Sequence, residues 1–302
     1  MIVGVTGASG VVGRFVVAEL QRQGARVRAW RREETECGGF EGEIEWIPGE
    51  LGSRAGARAL VEGADAVVHG ALAHEPGRYR GGEGADLEGF VRRNVQGSLE
   101  LMLEARRAGV ARFLFLSSRA VYGDRRSEDI LTEEHCCLPS THYGAAKRAV
   151  EAFVQSFGLG EGWQASALRA TGVYGVTWPL RRTKWWGLAR ALLEGRPWDG
   201  PAGGTEVHGA DLARAVWLLL TAEGTAGQLY NCSDRHVSTR EVAALMQRHG
   251  GLSGPLPAAP AGPPRRVPDG SRLQRLGLRF GGLSLLEATA AQVLDLARQE
   301  AP

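Results

Sequence analysis

The chain alternates short continuous apolar runs with longer segments whose apolar residues recur at helical spacing. Continuous apolar runs are typical of strands buried on both faces, and their alternation with helices indicates a parallel sheet covered by helices on both sides. The strand candidates are Ile2–Thr6, Arg26–Trp30, Ile44–Ile47, Ala66–His69, Phe113–Leu116, Ala165–Leu168 and Gln228–Asn231, and the helix candidates include Val11–Gln23, Leu87–Arg107, Tyr143–Phe157 and Ala210–Thr221. The pattern predicts the α/β class with a doubly wound parallel sheet of about seven strands.

Composition narrows the functional classes. Hydrophobic residues make up 43% and charged residues 23% of the 302 residues, as in ordinary globular proteins, and the formal net charge is only +2. We therefore expect no nucleic-acid partner and no membrane partner, and no run approaches the ~20 apolar residues of a membrane span. The amino terminus has no leader-like segment, and the four cysteines have no CxxC spacing. These features predict a cytoplasmic protein with reduced thiols.

A glycine-rich segment directly follows the first strand candidate and precedes a helix candidate. Glycines at this point let the chain turn sharply and bring backbone N–H groups close to a pyrophosphate at the start of the helix. The segment therefore predicts a Rossmann-type dinucleotide site, and the alternative is a glycine-rich turn that binds nothing. The cofactor-binding candidates in it are Gly7, Ser9, Gly10, Val11, Val12 and Gly13.

The alternation of strands and helices weakens after Tyr174, where proline and glycine become frequent. Two later segments, Thr239–His249 and Leu285–Arg298, again have helical spacing. Because open α/β folds bind ligands at the carboxyl edge of the sheet, we expect the later segments to form a lobe over that edge. The predicted division is a dinucleotide-binding domain of residues 1–175, completed by 205–235, and a smaller substrate-binding lobe of residues 176–204 and 236–302.

Two arginines, Arg31 and Arg32, follow the second strand candidate. In NAD enzymes an acidic residue near this point accepts a hydrogen bond from the ribose 2′-hydroxyl. A guanidinium suits a 2′-phosphate instead, so the sequence favours NADP(H), with NAD(H) as the alternative. The other interpretation is that both arginines are solvated, with Glu33 and Glu34 diluting their charge.

Three residues predict proton transfer. Tyr143 and Lys147 lie one helical turn apart, so the ammonium can favour the phenolate and let the phenol exchange a proton with a carbonyl or alcohol oxygen. Ser118 follows a predicted buried strand, where its hydroxyl can hold the reacting oxygen near the tyrosine. The catalytic candidates are therefore Ser118, Tyr143 and Lys147.

At this point the chain resembles the extended short-chain dehydrogenase/reductase superfamily, also called the NAD-dependent epimerase/dehydratase family. The resemblance rests on the glycine loop, on the Tyr-x-x-x-Lys pair, on Asn94-Val95-Gln96-Gly97-Ser98, on Leu168–Gly175, on Val207–Ala213 and on Tyr230-Asn231-Cys232. It implies catalytic roles for Ser118, Tyr143 and Lys147, and dimerisation through helices of residues 87–107 and 143–157. It also implies that further residues contact the cofactor, namely Glu50, Leu51, Ala71, Leu72, Ala73, Asn94, Ser117, Tyr143, Lys147, Ala170 and Val173.

Departures from the family pattern bear on the substrate. Arg119 and Ala120 stand where sugar-nucleotide dehydratases carry an Asp-Glu pair, so that dehydration mechanism lacks its acid and base. Gly172 replaces an Asn, and Gly203-Gly204-Thr205 replaces a segment with an Arg; both lost residues help to hold the diphosphate in many nucleotide-sugar enzymes. The substrate-binding candidates are Arg119, Arg181, Arg182 and Trp185, since guanidinium beside indole suits an anionic or sugar-like body, although a solvated basic turn is the alternative.

Two further interpretations concern a lid and a metal. The segment 73–85, which contains Arg78 and Arg80, is either a mobile lid or an ordinary surface loop. His69, His208 and Asp211 have no ligand spacing, so we interpret them as structural groups and expect no metal.

Three functions remain open from the sequence. The first is an NADP(H)-dependent oxidoreductase that acts on a secondary alcohol or carbonyl of a small polar, sugar-like or anionic substrate. The second is a sugar or nucleotide-sugar epimerase that uses the same three catalytic residues and retains its cofactor. The third is a non-catalytic NADP-binding regulator, against which the presence of both Tyr143 and Lys147 argues.

Overall fold

The computed structural model describes residues 1–75, 77–78, 81–124, 128–264 and 266–300. Its strands are β1 (Ile2–Thr6), β2 (Arg26–Arg31), β3 (Ile44–Pro48), β4 (Ala66–His69), β5 (Arg112–Ser118), β6 (Ile130–Leu131), β7 (Gln164–Ala170), β8 (Gly172–Tyr174), β9 (Gly203–His208), β10 (Leu229–Cys232), β11 (Arg235–Ser238) and β12 (Val267–Pro268). Its α-helices are α1 (Val11–Arg22), α2 (Arg54–Val61), α3 (Leu87–Val91), α4 (Gly97–Arg107), α5 (His142–Gln155), α6 (Trp186–Leu193), α7 (Gly209–Thr221), α8 (Thr239–Gly250), α9 (Ser271–Arg275) and α10 (Gly282–Gln299). A π-helical turn, Arg92–Gln96, joins α3 to α4, and another, Ser156–Gly160, follows α5.

Seven parallel strands form the central sheet in the order β3-β2-β1-β4-β5-β7-β10. The order reverses direction between β1 and β4, and this reversal opens a crevice at the carboxyl ends of the strands. The prediction of a doubly wound parallel sheet of about seven strands is confirmed. All seven strand candidates lie in this sheet, with bounds that differ by up to two residues.

Helices cover both faces of the sheet because its strands alternate their side chains between two cores. In β4, Ala66 and Val68 belong to one core with α1 and α7, whereas Val67 belongs to the other core with α2, α4 and α5. All three of these strand residues are fully buried. The sheet is therefore the rigid middle layer of a three-layer arrangement.

A third core lies outside the two sheet faces. Buried residues of α6, α8 and α10 pack around Tyr174 at the end of β8. A small sheet in the order β11-β9-β8 adjoins this core, with β8 parallel and β11 antiparallel to β9. The three helices come from the segments predicted to form the smaller lobe, and the division into two domains stays a prediction.

Candidate active site

A cleft of about 740 Å³ opens at the carboxyl ends of the central strands. It brings together most of the residues that the sequence singled out, from segments that lie far apart along the chain. These are Gly7, Ser9, Gly10, Val11, Val12, Gly13, Arg31, Arg32, Glu50, Leu51, Ala71, Leu72, Ala73, Ser117, Ser118, Arg119, Tyr143, Lys147, Ala170, Val173 and Arg182.

Three of the predicted site residues do not line this cleft. The Asn94 side chain donates to the carbonyl oxygen of Ala73 at 2.8 Å and accepts from its N–H at 2.8 Å, so Asn94 fixes a loop that does line it. Trp185 packs against Tyr174, with ring centres 5.1 Å apart. Arg181 is exposed in the short turn that precedes α6. In the segment 73–85, which the sequence leaves open as a lid or a surface loop, Arg80 lies outside the described residues.

The glycine loop has the close packing that a pyrophosphate site requires. Gly7 has a φ of +77°, and a Cβ there would lie 2.7 Å from the carbonyl carbon of Gly70. A Cβ on Gly13 would lie 2.7 Å from Cα of Ala8, so the start of α1 sits directly on the loop. No side chain caps α1 at Gly10, and Val11 and Val12 line the cleft. These residues fit the pyrophosphate of a dinucleotide, which would accept hydrogen bonds from the first N–H groups of α1.

Arg31 and Arg32 lie exposed at the end of β2 and line the far side of the cleft. Arg31 makes no ion pair with any described residue, and Arg32 is 3.6 Å from Glu34, a pair in which both side chains are exposed and the attraction is weak. The end of β2 therefore adds positive charge to the cleft.

The three catalytic candidates meet where β5 and α5 approach each other. Ser118 is the last residue of β5, and Tyr143 lies in the first turn of α5, which Thr141 caps by accepting a 3.0 Å hydrogen bond from Gly144 N–H. Lys147 Nζ donates to the carbonyl oxygen of Leu116 at 2.7 Å and lies 6.0 Å from the centre of the Tyr143 ring. Burial lowers the pKa of Lys147 to about 8, and the carboxylate of Glu151 opposes that effect.

Glu151 and Arg169 form a buried ion pair beneath the catalytic candidates. Arg169 donates to Glu151 through Nε at 2.9 Å and through Nη2 at 2.8 Å, and the exposed fractions of the two side chains are 1% and 0%. Ser117 Oγ donates to Glu151 Oε1 at 2.6 Å. The hydroxyl of Ser117 is thus directed away from the cleft that the residue lines. Sequence reasoning did not single out Glu151, although its position one turn after Lys147 on the same helix was an available signal.

His69 connects the end of β1 to α4 through a chain of hydrogen bonds. Thr6 Oγ1 accepts from the N–H groups of Gly70 and Ala71, which leaves its own proton for His69 Nδ1 at 2.7 Å. His69 Nε2 then donates to Ser98 Oγ at 2.8 Å. Burial and the nearby Lys147 charge lower the pKa of His69 to about 3, in agreement with a neutral ring. His69 therefore stabilises the loop that follows β4 at the cleft.

Arg14, in the first turn of α1, joins two loops beside the phosphate loop. Its guanidinium lies between the rings of Phe40, at 4.4 Å, and Trp178, at 4.7 Å. It also donates to the carbonyl oxygen of Gly38 at 2.7 Å. Sequence reasoning missed this contact, because it joins residues that are more than a hundred positions apart.

Two negative findings complete the geometry of the site. Among the described residues, no group of three or more His, Cys, Asp or Glu side chains is arranged to hold a metal ion. No helix in the described part of the chain is long and apolar enough to cross a membrane.

The family follows from comparison with known proteins. The model of the NAD dependent epimerase/dehydratase family matches residues 3–233, which include every residue that lines the cleft. The chain belongs to this family. The resemblance predicted from the sequence motifs is confirmed.

Individual relatives are similar over different shares of their length. The UDP-glucose 4-epimerase of Azospirillum brasilense is 31% identical over 214 residues, covering 61% of this chain and 60% of that protein. The UDP-glucose 4-epimerase of Corynebacterium glutamicum is 27% identical over 296 residues, covering 89% of this chain and 85% of that protein. This chain covers only 63% and 60% of the length of the first two curated relatives that it matches. The solved structure of MoeE5 in complex with UDP-glucuronic acid and NAD superposes with a TM-score of 0.78 at 26% identity, with 99% of both chains covered.

Proposed function

We propose that this member of the family is an NADP(H)-dependent oxidoreductase that transfers a hydride to or from a secondary alcohol or carbonyl of a small polar substrate. The observation that carries the proposal is the meeting of Ser118, Tyr143 and Lys147 at the end of the cleft that also contains the glycine loop. A nicotinamide cofactor bound there would supply the hydride donor or acceptor.

The chain's own residues account for the proton in this reaction. Tyr143 gives a proton to the reacting oxygen during reduction and takes it back during oxidation. The Lys147 ammonium favours the phenolate, because a nearby positive charge stabilises a negative one in a site of low polarity. Ser118 lies on the adjoining strand end, where its hydroxyl orients the same oxygen, and its Oγ accepts a 3.2 Å hydrogen bond from Ala120 N–H.

The preference for NADP(H) is proposed from Arg31 and Arg32. Both line the cleft at the end of β2, and neither is neutralised by a buried acidic partner among the described residues. A 2′-phosphate would gain charge-assisted hydrogen bonds from a guanidinium, which offers nothing to accept a hydrogen bond from the 2′-hydroxyl of NAD(H).

An epimerase is the second candidate. Similarity to UDP-glucose 4-epimerases, one of them over 89% of this chain, favours it. The same tyrosine and lysine would serve an oxidation followed by a reduction at one carbon. The difference lies in the cofactor, which an epimerase regenerates in each cycle without releasing it.

Cofactor titration tests the proposal. NADPH and NADH are titrated into the purified protein while nicotinamide fluorescence is followed, and the titrations are repeated with Arg31→Ala. We expect NADPH to bind at least about tenfold more tightly than NADH, and the Arg31→Ala variant to lose that preference, since one charge-assisted hydrogen bond to phosphate is worth about that factor. Arg22→Ala, which removes an exposed arginine from the far end of α1, is the matched control and should bind both as the wild type does. Equal affinities, or NAD(H) that stays bound through purification, would favour the epimerase.

A further inference from the structure

The carboxylate of Glu206 fills a space beside two glycines on the substrate side of the cleft. Gly172 of β8 and Glu206 of β9 are partners in the register of the small sheet. A Cβ on Gly172 would lie 2.7 Å from Oε1 of Glu206, and one on Gly204 would lie 3.4 Å from the same oxygen. These two positions belong to the two departures from the nucleotide-sugar pattern. Both positions therefore adjoin the same carboxylate, which occupies the volume that a side chain at position 172 would need.

Two cations of the cleft wall are held around this carboxylate. Lys184 Nζ lies 2.5 Å from Oε2 of Glu206, and Arg119 donates to Oγ1 of the preceding residue, Thr205, at 2.9 Å. Glu206 is only 4% exposed, whereas Lys184 and Arg119 both line the cleft. Arg182 also lines the cleft, and its positive charge repels that of Arg14.

The charged residues of this part of the cleft favour a ligand with a particular charge. Arg119 bonds to Thr205 and Lys184 pairs with Glu206, and this linked group of Arg119, Lys184 and Glu206 has one net positive charge, which matches a single carboxylate. A diphosphate carries at least two negative charges, and it would lie beside the buried Glu206 carboxylate without the amide that an asparagine at position 172 would supply. Because Arg119 directly follows Ser118, the charged group of the ligand lies near the oxygen that reacts.

We propose that the substrate is a polar hydroxy or keto compound with one carboxylate, which Arg119 and Lys184 bind, and that nucleoside diphosphates are excluded. Glu206 is a positioning residue in this arrangement, because it orients Lys184 and does not itself contact the ligand. The inference rests on the proposed function, since Ser118 and Tyr143 define where the reacting oxygen lies.

The steric part of the inference is tested by stability. Gly172→Ala should lower the melting temperature, because its methyl group would collide with the Glu206 carboxylate. The same substitution should lower it less in a Glu206→Gly background, where that carboxylate is absent. Gly160→Ala, at a glycine with open space around it, is the control and should cost nothing. A Gly172→Ala protein as stable as the wild type would show that the Glu206 carboxylate does not exclude a side chain at position 172, and this part of the inference would be wrong.

The ligand class is tested by equilibrium binding to the protein saturated with its cofactor. D-Glucuronate, D-glucose and UDP are titrated by calorimetry. Glucuronate should bind most tightly, and Lys184→Met should weaken it at least about tenfold, the value of one charge-assisted hydrogen bond. The control is Arg181→Met, which removes a neighbouring exposed cation that does not line the cleft.

Failure of glucuronate to bind, tighter binding of UDP, or an affinity that Lys184→Met leaves unchanged would overturn the inference. Binding is read without turnover, so the two proposals fail separately. If the protein binds glucuronate through Lys184 but transfers no hydride, the inference about the ligand stands and the proposed function is wrong. If the protein transfers a hydride to a neutral or diphosphate substrate, the proposed function stands and the inference about the ligand is wrong.

Discussion

Lys147 Nζ donates a 2.7 Å hydrogen bond to the carbonyl oxygen of Leu116, two residues before the serine at the end of β5. The bond ties α5 to the strand that carries Ser118, so the ammonium stays beside the Tyr143 ring in a buried setting. Position and charge of one lysine thus serve both the packing of α5 and the chemistry proposed for the cleft.

Removing that charge should change the titration of Tyr143. In Lys147→Met we expect the pKa of Tyr143 to rise relative to the wild type, because the phenolate loses a nearby cation. NMR of protein labelled at a tyrosine ring carbon measures the pKa of Tyr143 directly. The signal that is missing in Tyr143→Phe is the one that belongs to Tyr143. An identical titration in both proteins would contradict the role given to Lys147.

Proton transfer itself should depend on Tyr143. Tyr143→Phe should lower the rate of hydride transfer by about 10²- to 10⁴-fold while leaving cofactor affinity nearly unchanged, since the phenol acts on the substrate oxygen. Single-turnover absorbance of the nicotinamide follows the rate. Tyr122→Phe is not a suitable control, because its hydroxyl bonds to Asn231 and Arg169 in the buried network. Tyr230→Phe, remote from the cleft lining, should keep the wild-type rate.

The buried ion pair should dominate local stability. Glu151→Gln leaves the Arg169 guanidinium buried without its carboxylate, so we expect the free energy of unfolding to fall by about 3–5 kcal/mol. Urea denaturation measures the loss. Glu161→Gln breaks an exposed pair with Arg106 and should cost no more than about 1 kcal/mol. Comparable losses in the two variants would show that burial of the pair is not what matters.

The neutral His69 should make the fold sensitive to acid. The unfolded chain takes up a proton on this ring below the ordinary pKa of 6.5, whereas the folded chain does so only near 3. Between these values the unfolded state binds more protons, so stability falls as the pH drops through that window, by about 2 kcal/mol at pH 5. His69→Gln should flatten the pH dependence of urea denaturation between pH 7.5 and about 5. The same slope in variant and wild type would refute the assignment.

We also propose that the chain forms a homodimer through the helices of residues 87–107 and 143–157. Three of their apolar side chains, those of Leu87, Val91 and Phe153, are exposed at 39%, 45% and 38%. Burying such a surface against a second copy would remove it from water. Val91→Glu should therefore convert a dimer into a monomer in analytical ultracentrifugation, whereas Leu159→Glu, at an exposed leucine outside both helices, should not. A wild-type monomer would remove the proposal.

Local patterns explain why much of the fold was predictable. The seven sheet strands are continuous apolar runs, and the spacing of Tyr143 and Lys147 is itself helical geometry. The small sheet was not predicted, because Gly203 and Gly204 interrupt the pattern of β9 and its neighbours β8 and β11 are short. The contacts of Glu206 with Lys184, and of Glu151 with Arg169, are tertiary. The spacing of residues along the sequence does not predict these two contacts.

The contact of Trp178 with the loop after β2 has a consequence for how the family can vary. A Cβ on Gly38 would lie 3.1 Å from the Trp178 ring, so the indole already fills the space that a larger residue at position 38 would require. In an alignment of relatives, larger side chains at position 38 should therefore occur together with smaller ones at position 178. Covariation between positions 38 and 178, which are 140 positions apart, would then indicate that the two loops lie in contact beside Arg14.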